Sequence, residues 1–257
     1  MKTQFALGIV IVLTTGFFFP LWADESYARR SSLYADYPSL ATIVNRAEEL
    51  TEKGEYEKAR LYYTAGIAQD PKAWPCYFGR AAVLERQRKW LPAIEDYGTV
   101  LRLVPGLLFV QVMRGQVYEL LGQYGRALAD YERIIKIAPE SVPYNRAFAL
   151  NSRAWLRSTC SDAAFRDAKS AVADAKHACQ YTAWSEPSYI DTLAAAHAEA
   201  GDFESATRFQ RRAIDRLREP KYEIKNPEER HAFHESRLAA YQARLASYQR
   251  HQAWRAK

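Results

Sequence analysis

The sequence predicts an all-α fold, an α-solenoid of antiparallel helix pairs with about five units and a long C-terminal capping helix. Two observations carry that prediction. Residues of the same type recur in phase every 34 positions, and within each period small and bulky side chains stand three or four apart, the spacing of one helix face. Composition agrees: 48 % apolar and 26 % charged residues are close to globular averages, which excludes wholesale disorder.

Six columns keep the 34-residue step. They are Ala47, Ala81 and Gly115; Leu50, Leu84 and Tyr118; Tyr56, Trp90 and Tyr124; Ala59, Ala93 and Ala127; Tyr63, Tyr97 and Tyr131; and Pro71, Pro105 and Pro139. A small residue followed three positions later by a large one marks the first helix of a pair. After a short turn (Gly54-Glu55-Tyr56, Gly122-Gln123-Tyr124), Ala and Tyr four apart share a face of the second. The Ala admits a neighbouring helix, the ring fills the space beside it, and Pro ends the helix because it cannot continue one. A single pair cannot cover its own apolar face, so the pairs must stack.

These columns resemble the tetratricopeptide repeat over about Leu40 to Ser141. The departure is Arg88, where the second turn lacks its Gly; a Gly there only eases the turn. The period then slips. The next Ala in the same role is Ala206, behind Gly201 and Phe203, so a longer fourth unit is placed at about Val142 to Tyr181 and a fifth at about Ser188 to Leu217. The added residues are assigned to Val142–Asn145 and Ser158–Ala164. The segments Asn151 to Leu156, Thr159 to Asp162 and Asp191 to Ala196 resemble a variant block of exported bacterial tetratricopeptide proteins. Arg153 and His197 depart from it, since that block usually carries an apolar and an aromatic residue there.

The chain organises as residues 1–23, a signal peptide or membrane anchor; 24–39, a linker; 40–220, the repeat domain; and 221–257, a basic capping helix. Lys2, the uncharged run from Phe5 to Phe19, then Pro20 and Ala23 have the order of a secretory signal cleaved after Ala23. Left uncleaved, the 19 residues from Phe5 to Ala23 would just span a thin bilayer. The expected location is therefore periplasmic or secreted, with tethering to the inner membrane through residues 1–23 as the alternative. Three cysteines are too few for a disulfide framework and are expected as free, buried thiols.

The formal charge is +6, and the stretch from Thr207 to Lys257 carries 13 Lys and Arg against 6 Asp and Glu. Arg230, Arg237 and Arg244 step by seven along one face of the last helix. They are either part of a solvated cap or a basic patch for an anionic partner: lipid, cell-wall polymer or nucleic acid. Nucleic acid is disfavoured by export and by the near-neutral repeats.

Catalytic signatures are missing. No phosphate loop, nucleophile elbow or metal-ligand constellation is present, so no enzyme activity, metal or cofactor is expected. The partner is then a protein or peptide. In the resemblance, the first helix of each pair lines an inner groove. The inward positions would be Val44 and Glu48, then Phe78 and Glu85, then Phe109, Val112, Gln116 and Glu119, then Asn151 and Trp155, then Asp191 and Glu199. Apolar patches rimmed by carboxylates would suit a peptide with apolar anchors and basic flanks. Repeat clamps that hold acidic chain ends use Lys, Asn and Arg at positions occupied here by Val44, Glu48, Gly79, Phe109 and Met113, where a carboxylate terminus would meet repulsion and no paired donor; this argues against that function.

Overall fold

The computed structural model describes residues 40–138, 143–219 and 227–256, with the side chains of 143 and 227–233 excepted. The expected signal at 1–23 and linker at 24–39 lie outside the described residues. So do Pro139 and the first of the two insertions up to residue 142. The described residues contain eleven α-helices and no strand, paired as the periodicity predicts. They divide into two compact units at Ile137 and Ala138. Among them, no helix is long and apolar enough to cross a membrane.

The first unit holds three helix pairs: α1 (Ala41–Glu52) with α2 (Tyr56–Gln69), α3 (Trp74–Arg86) with α4 (Trp90–Leu103), and α5 (Leu108–Leu120) with α6 (Tyr124–Ile137). The second helix of the first two pairs stops two residues before Pro71 and Pro105. The columns form the core. Ala47, Ala81 and Gly115 are buried beneath Tyr63, Tyr97 and Tyr131, all of them enclosed. At Gly115 the approach is close, since a Cβ there would stand 2.5 Å from a ring carbon of Tyr131. Such contact lets neighbouring helices lie close enough to exclude water.

The turns correct one expectation. Gly54 and Gly122 adopt φ of +74° and +69°, and Gly201 repeats this at +79° in the second unit. Arg88 occupies the equivalent turn at φ +57°. The turn thus requires the left-handed region, where a Cβ is penalised, and the missing Gly is a local strain.

An ion-pair column joins the helices of the second and third pairs. Arg80 on α3 grips Asp96 on α4 with two hydrogen bonds of 2.8 Å. Arg114 on α5 grips Asp130 on α6 at 2.9 and 2.6 Å. Each Asp is buried, and a two-pronged guanidinium–carboxylate contact fixes helix rotation as well as separation.

The second unit contains α7 (Pro143–Thr159), a 3-10 turn at Ala163–Phe165, α8 (Ala168–Tyr181), α9 (Pro187–Glu199), α10 (Phe203–Arg218) and α11 (Pro227–Gln249). The insertion assigned to Ser158–Ala164 is the long end of α7 and the 3-10 turn. Asp167 and Asp202 cap α8 and α10 through Ser170 N–H and Ser205 N–H. The two departures from the variant block find partners. Arg153 grips Asp174 at 2.8 Å twice, as its counterparts do in the first unit. His197 stacks on Phe209 at 5.3 Å and faces Asp202 at 3.1 Å. Cys76, Cys160 and Cys179 are free and buried, and burial lifts the Cys76 thiol to about 11 and the Cys179 thiol to about 12.

Candidate functional site

In the first unit the inward-facing column splits in two. Val44, Phe78 and Val112 share one register position and are buried; Val44 packs with Ala47, Leu50 and Ala59. They hold adjacent first helices together and do not line a groove. One turn later, Glu48, Ala82 and Gln116 are partly exposed, and so are Glu85 and Glu119. The apolar centre of this face is Phe109, half-buried, meeting Phe78 edge to face at 5.6 Å and 79°.

The carboxylate rim differs from the expectation. Tyr131 Oη donates to Glu119 Oε1 at 2.5 Å, and burial raises Glu119 to about 8. Glu85 sits beside Tyr97 in the same register and is raised by burial to about 7. At neutral pH Glu119 is largely protonated and Glu85 about half protonated, so these two carboxyls carry less negative charge than expected. A separate cleft of about 580 Å3 opens between Tyr77, Thr99 and Arg102, with Arg80 and Arg114 on its wall. Both of those arginines are already neutralised by Asp96 and Asp130.

In the second unit the chain covers its own candidate residues. Trp155 and Asp191 are 2 % and 1 % exposed, and Asn151 is also buried. Glu199 is held between Arg166 at 2.9 Å and Arg255 at 2.7 Å. The expected basic patch is not at the surface. Arg244 is buried, pairs with Asp191 at 2.7 Å and lies among the rings of Trp155, Tyr241 and Trp254. Arg237 is buried and donates to Tyr241 Oη at 2.9 Å. The side chain of Arg230 lies outside the described residues. The reason is packing: the seven-residue step marks the face that α11 turns inward, where arginine stems cover rings and the heads find a carboxylate. Exposed cations here include Arg208, Arg211 and Arg212 on α10, beside a cleft of about 690 Å3 that also bears Glu204 and Asp215.

Sequence reasoning missed Arg80 with Arg114 and Asp96 with Asp130. Both pairs are spaced by 34, so the signal was present as two further columns. It missed Arg244 with Asp191 because nothing local links residues so far apart.

The tetratricopeptide-repeat family model matches residues 109–141. Among curated proteins, the Tetratricopeptide repeat and J domain-containing co-chaperone DNJ1 of Fusarium oxysporum f. sp. lycopersici is 29 % identical over 122 residues, 48 % of this chain and 23 % of that one. The chain spans 10 to 23 % of the length of the curated relatives it matches. Among solved structures, PilW, described as a widely conserved type IV pilus biogenesis factor, superposes with a TM-score of 0.58 at 15 % identity, covering 83 % of this chain and 93 % of that one. MamA from Desulfovibrio magneticus RS-1 gives 0.54 at 16 % identity, over 72 % and 98 %. The family match falls on α5 and α6, one of the helix pairs that the 34-residue columns build: residues 109–141 match a tetratricopeptide repeat, and the chain has the helix-pair fold of tetratricopeptide-repeat solenoids.

Proposed function

We propose that the chain is a non-catalytic scaffold at the cell envelope that binds a protein or peptide on the first-helix face of residues 40–137. The observation that carries this reading is the half-buried Phe109 packed on Phe78, with the partly exposed Ala82 and Glu85 and the partly exposed Gln116 and Glu119 further along the same two helices. An aromatic centre with polar groups along the same helices favours a segment that inserts an apolar side chain and hydrogen-bonds nearby. The co-chaperone relative and the pilus-biogenesis neighbour belong to proteins named for work on or with other proteins, in keeping with this reading. Envelope location rests on the residue order of 1–23, and mass spectrometry of the mature N-terminus tests it: a start at Asp24 supports cleavage.

Binding is tested by selecting peptides from a displayed library on the chain and repeating the measurement with Phe109→Ala and Gln116→Lys. Each variant should weaken the selected peptide at least tenfold at unchanged helical content. Equal binding by both variants would remove the face from the function. With Arg237 and Arg244 inside the second unit, no observation favours an anionic-surface adaptor acting through α11.

A further inference from the structure

Where α11 ends, the chain is turned back by a built turn. Ser247 O accepts from Arg250 N–H and Gln252 N–H at 3.0 Å, and Ser247 Oγ donates to Gln252 O at 2.9 Å. His251 takes φ +56° and stacks on Phe203 at 5.1 Å. The turn delivers residues 252–256, which form neither helix nor strand, onto α7 and α9. Ala253 and Trp254 pack against a cluster of Trp155, Ala194, Ala195, Ala198 and Tyr248. Arg255 reaches Glu199 at 2.7 Å, and Ala256 N–H donates to Thr159 O at 2.9 Å. Trp155 and Glu199 are positions the repeat register directs inward. Residues 252–256 therefore occupy that face as a bound peptide would: an aromatic anchor, an arginine on a carboxylate and a backbone hydrogen bond.

We propose that residues 252–256 are a resident ligand of the α7–α9 face, and that its external partner is a peptide of the same chemistry, an aromatic residue followed by arginine, which displaces them. The inference rests on the peptide-binding reading above and adds a second surface with a stated partner. Two features make the resident displaceable. The Arg255 side chain is 38 % exposed, so its ion pair is open to solvent and salt. The segment is also short, and short irregular segments with few backbone bonds lie at the low end of local stability. While it is seated, an external peptide binds only the open fraction of molecules, so its apparent affinity falls by that fraction.

The probe is a fluorescein-labelled synthetic peptide with the sequence of residues 250–256, followed by anisotropy. Three chains are compared: the full chain, a chain ending at His251, and the full chain with Arg255→Glu. The chain ending at His251 and the Arg255→Glu chain should each bind the probe at least tenfold more tightly than the full chain. Glu199→Gln in the shortened chain should lose tenfold. If the shortened chain fails to fold, Arg255→Glu, which keeps the full length and changes a side chain 38 % exposed, decides. Equal affinity for all three chains, or no binding by the opened chains at unchanged circular dichroism, overturns the proposal. A dimer of the full chain that the probe dissociates also overturns it, since the occupant is then the segment of a second copy. Failure here with Phe109-dependent capture intact overturns this proposal alone; loss of both overturns the groove reading as well.

Discussion

Arg244 and Asp191, from helices far apart in sequence, meet in the interior of the second unit with 2.7 Å between Nε and Oδ1 and both side chains 2 % exposed. Gln210 donates to the same oxygen at 2.7 Å, and three aromatic rings surround the guanidinium. Removing one member of such a pair leaves a charge buried without compensation. Asp191→Asn and Arg244→Met should each destabilise the second unit by about 3–5 kcal/mol. The double variant should lose much less than the sum, because neither charge remains. Guanidinium unfolding of the four chains completes the cycle, and strict additivity would refute the coupling.

Glu119 gives the first unit a pH dependence of defined sign. An acid raised from 4.5 to about 8 holds its proton more tightly folded than unfolded. Its stabilising contribution is complete below about pH 4.5 and is lost as pH rises towards 8. Glu85, raised to about 7, acts in the same direction over a narrower window. The groups facing Glu119 are Tyr131 and, behind it, Asp130, which Arg114 neutralises. Glu119→Gln keeps an acceptor for Tyr131 and removes the titration. Because Glu119 retains some exposure, the stability lost between pH 5 and 8 should be on the order of 2 kcal/mol, and Glu119→Gln should flatten most of it. Thermal melts at half-unit pH steps measure the slope; an unchanged slope in the variant would reject the assignment.

The turn at Arg88 makes a stabilising substitution available. The equivalent Gly54 and Gly122 share its positive φ. A non-glycine residue there is penalised by roughly 1–2 kcal/mol. Glycine recovers this less the roughly 0.5–1 kcal/mol of extra unfolded-state entropy it brings. Arg88→Gly should therefore gain about 0.5–1 kcal/mol, whereas Arg88→Ala, which keeps the Cβ, should gain nothing. Melting temperatures of the two variants read the difference directly.

The repeat was legible because a solenoid imposes the same packing problem on each unit, so its solution recurs at fixed spacing. Ala59, Ala93 and Ala127 are all fully enclosed for that reason. The groove was less legible because Val44 and Glu48 lie one helical turn apart on one face, and only the neighbouring helix determines which is enclosed. The basic patch was misread for a related reason. A seven-residue step of Arg marks a face of α11 without indicating whether that face meets water or the rings of Trp155 and Trp254. Residues 252–256 carry no periodicity, and their seating depends on Thr159 and Glu199, which lie in α7 and α9.

Gly115 tests whether close packing of the first helix against Tyr131 outweighs helix propensity. In an unconstrained helix interior, Gly→Ala gains up to about 1 kcal/mol. Gly98 meets that condition, since the nearest atom to its Cβ would be Arg114 Nη1 at 3.9 Å. At Gly115 the added carbon would stand 2.5, 3.0 and 3.2 Å from three carbons of the Tyr131 ring. That ring cannot yield easily, because it is fully buried and tied through its hydroxyl to Glu119. Gly98→Ala should raise the stability of the first unit, while Gly115→Ala should lower it by about 1–3 kcal/mol, the usual range for overpacking. Adding Tyr131→Phe to Gly115→Ala frees the ring from Glu119 and should return part of that loss. A Gly115→Ala chain as stable as Gly98→Ala would mean that the aromatic column does not set the spacing of the helix pair.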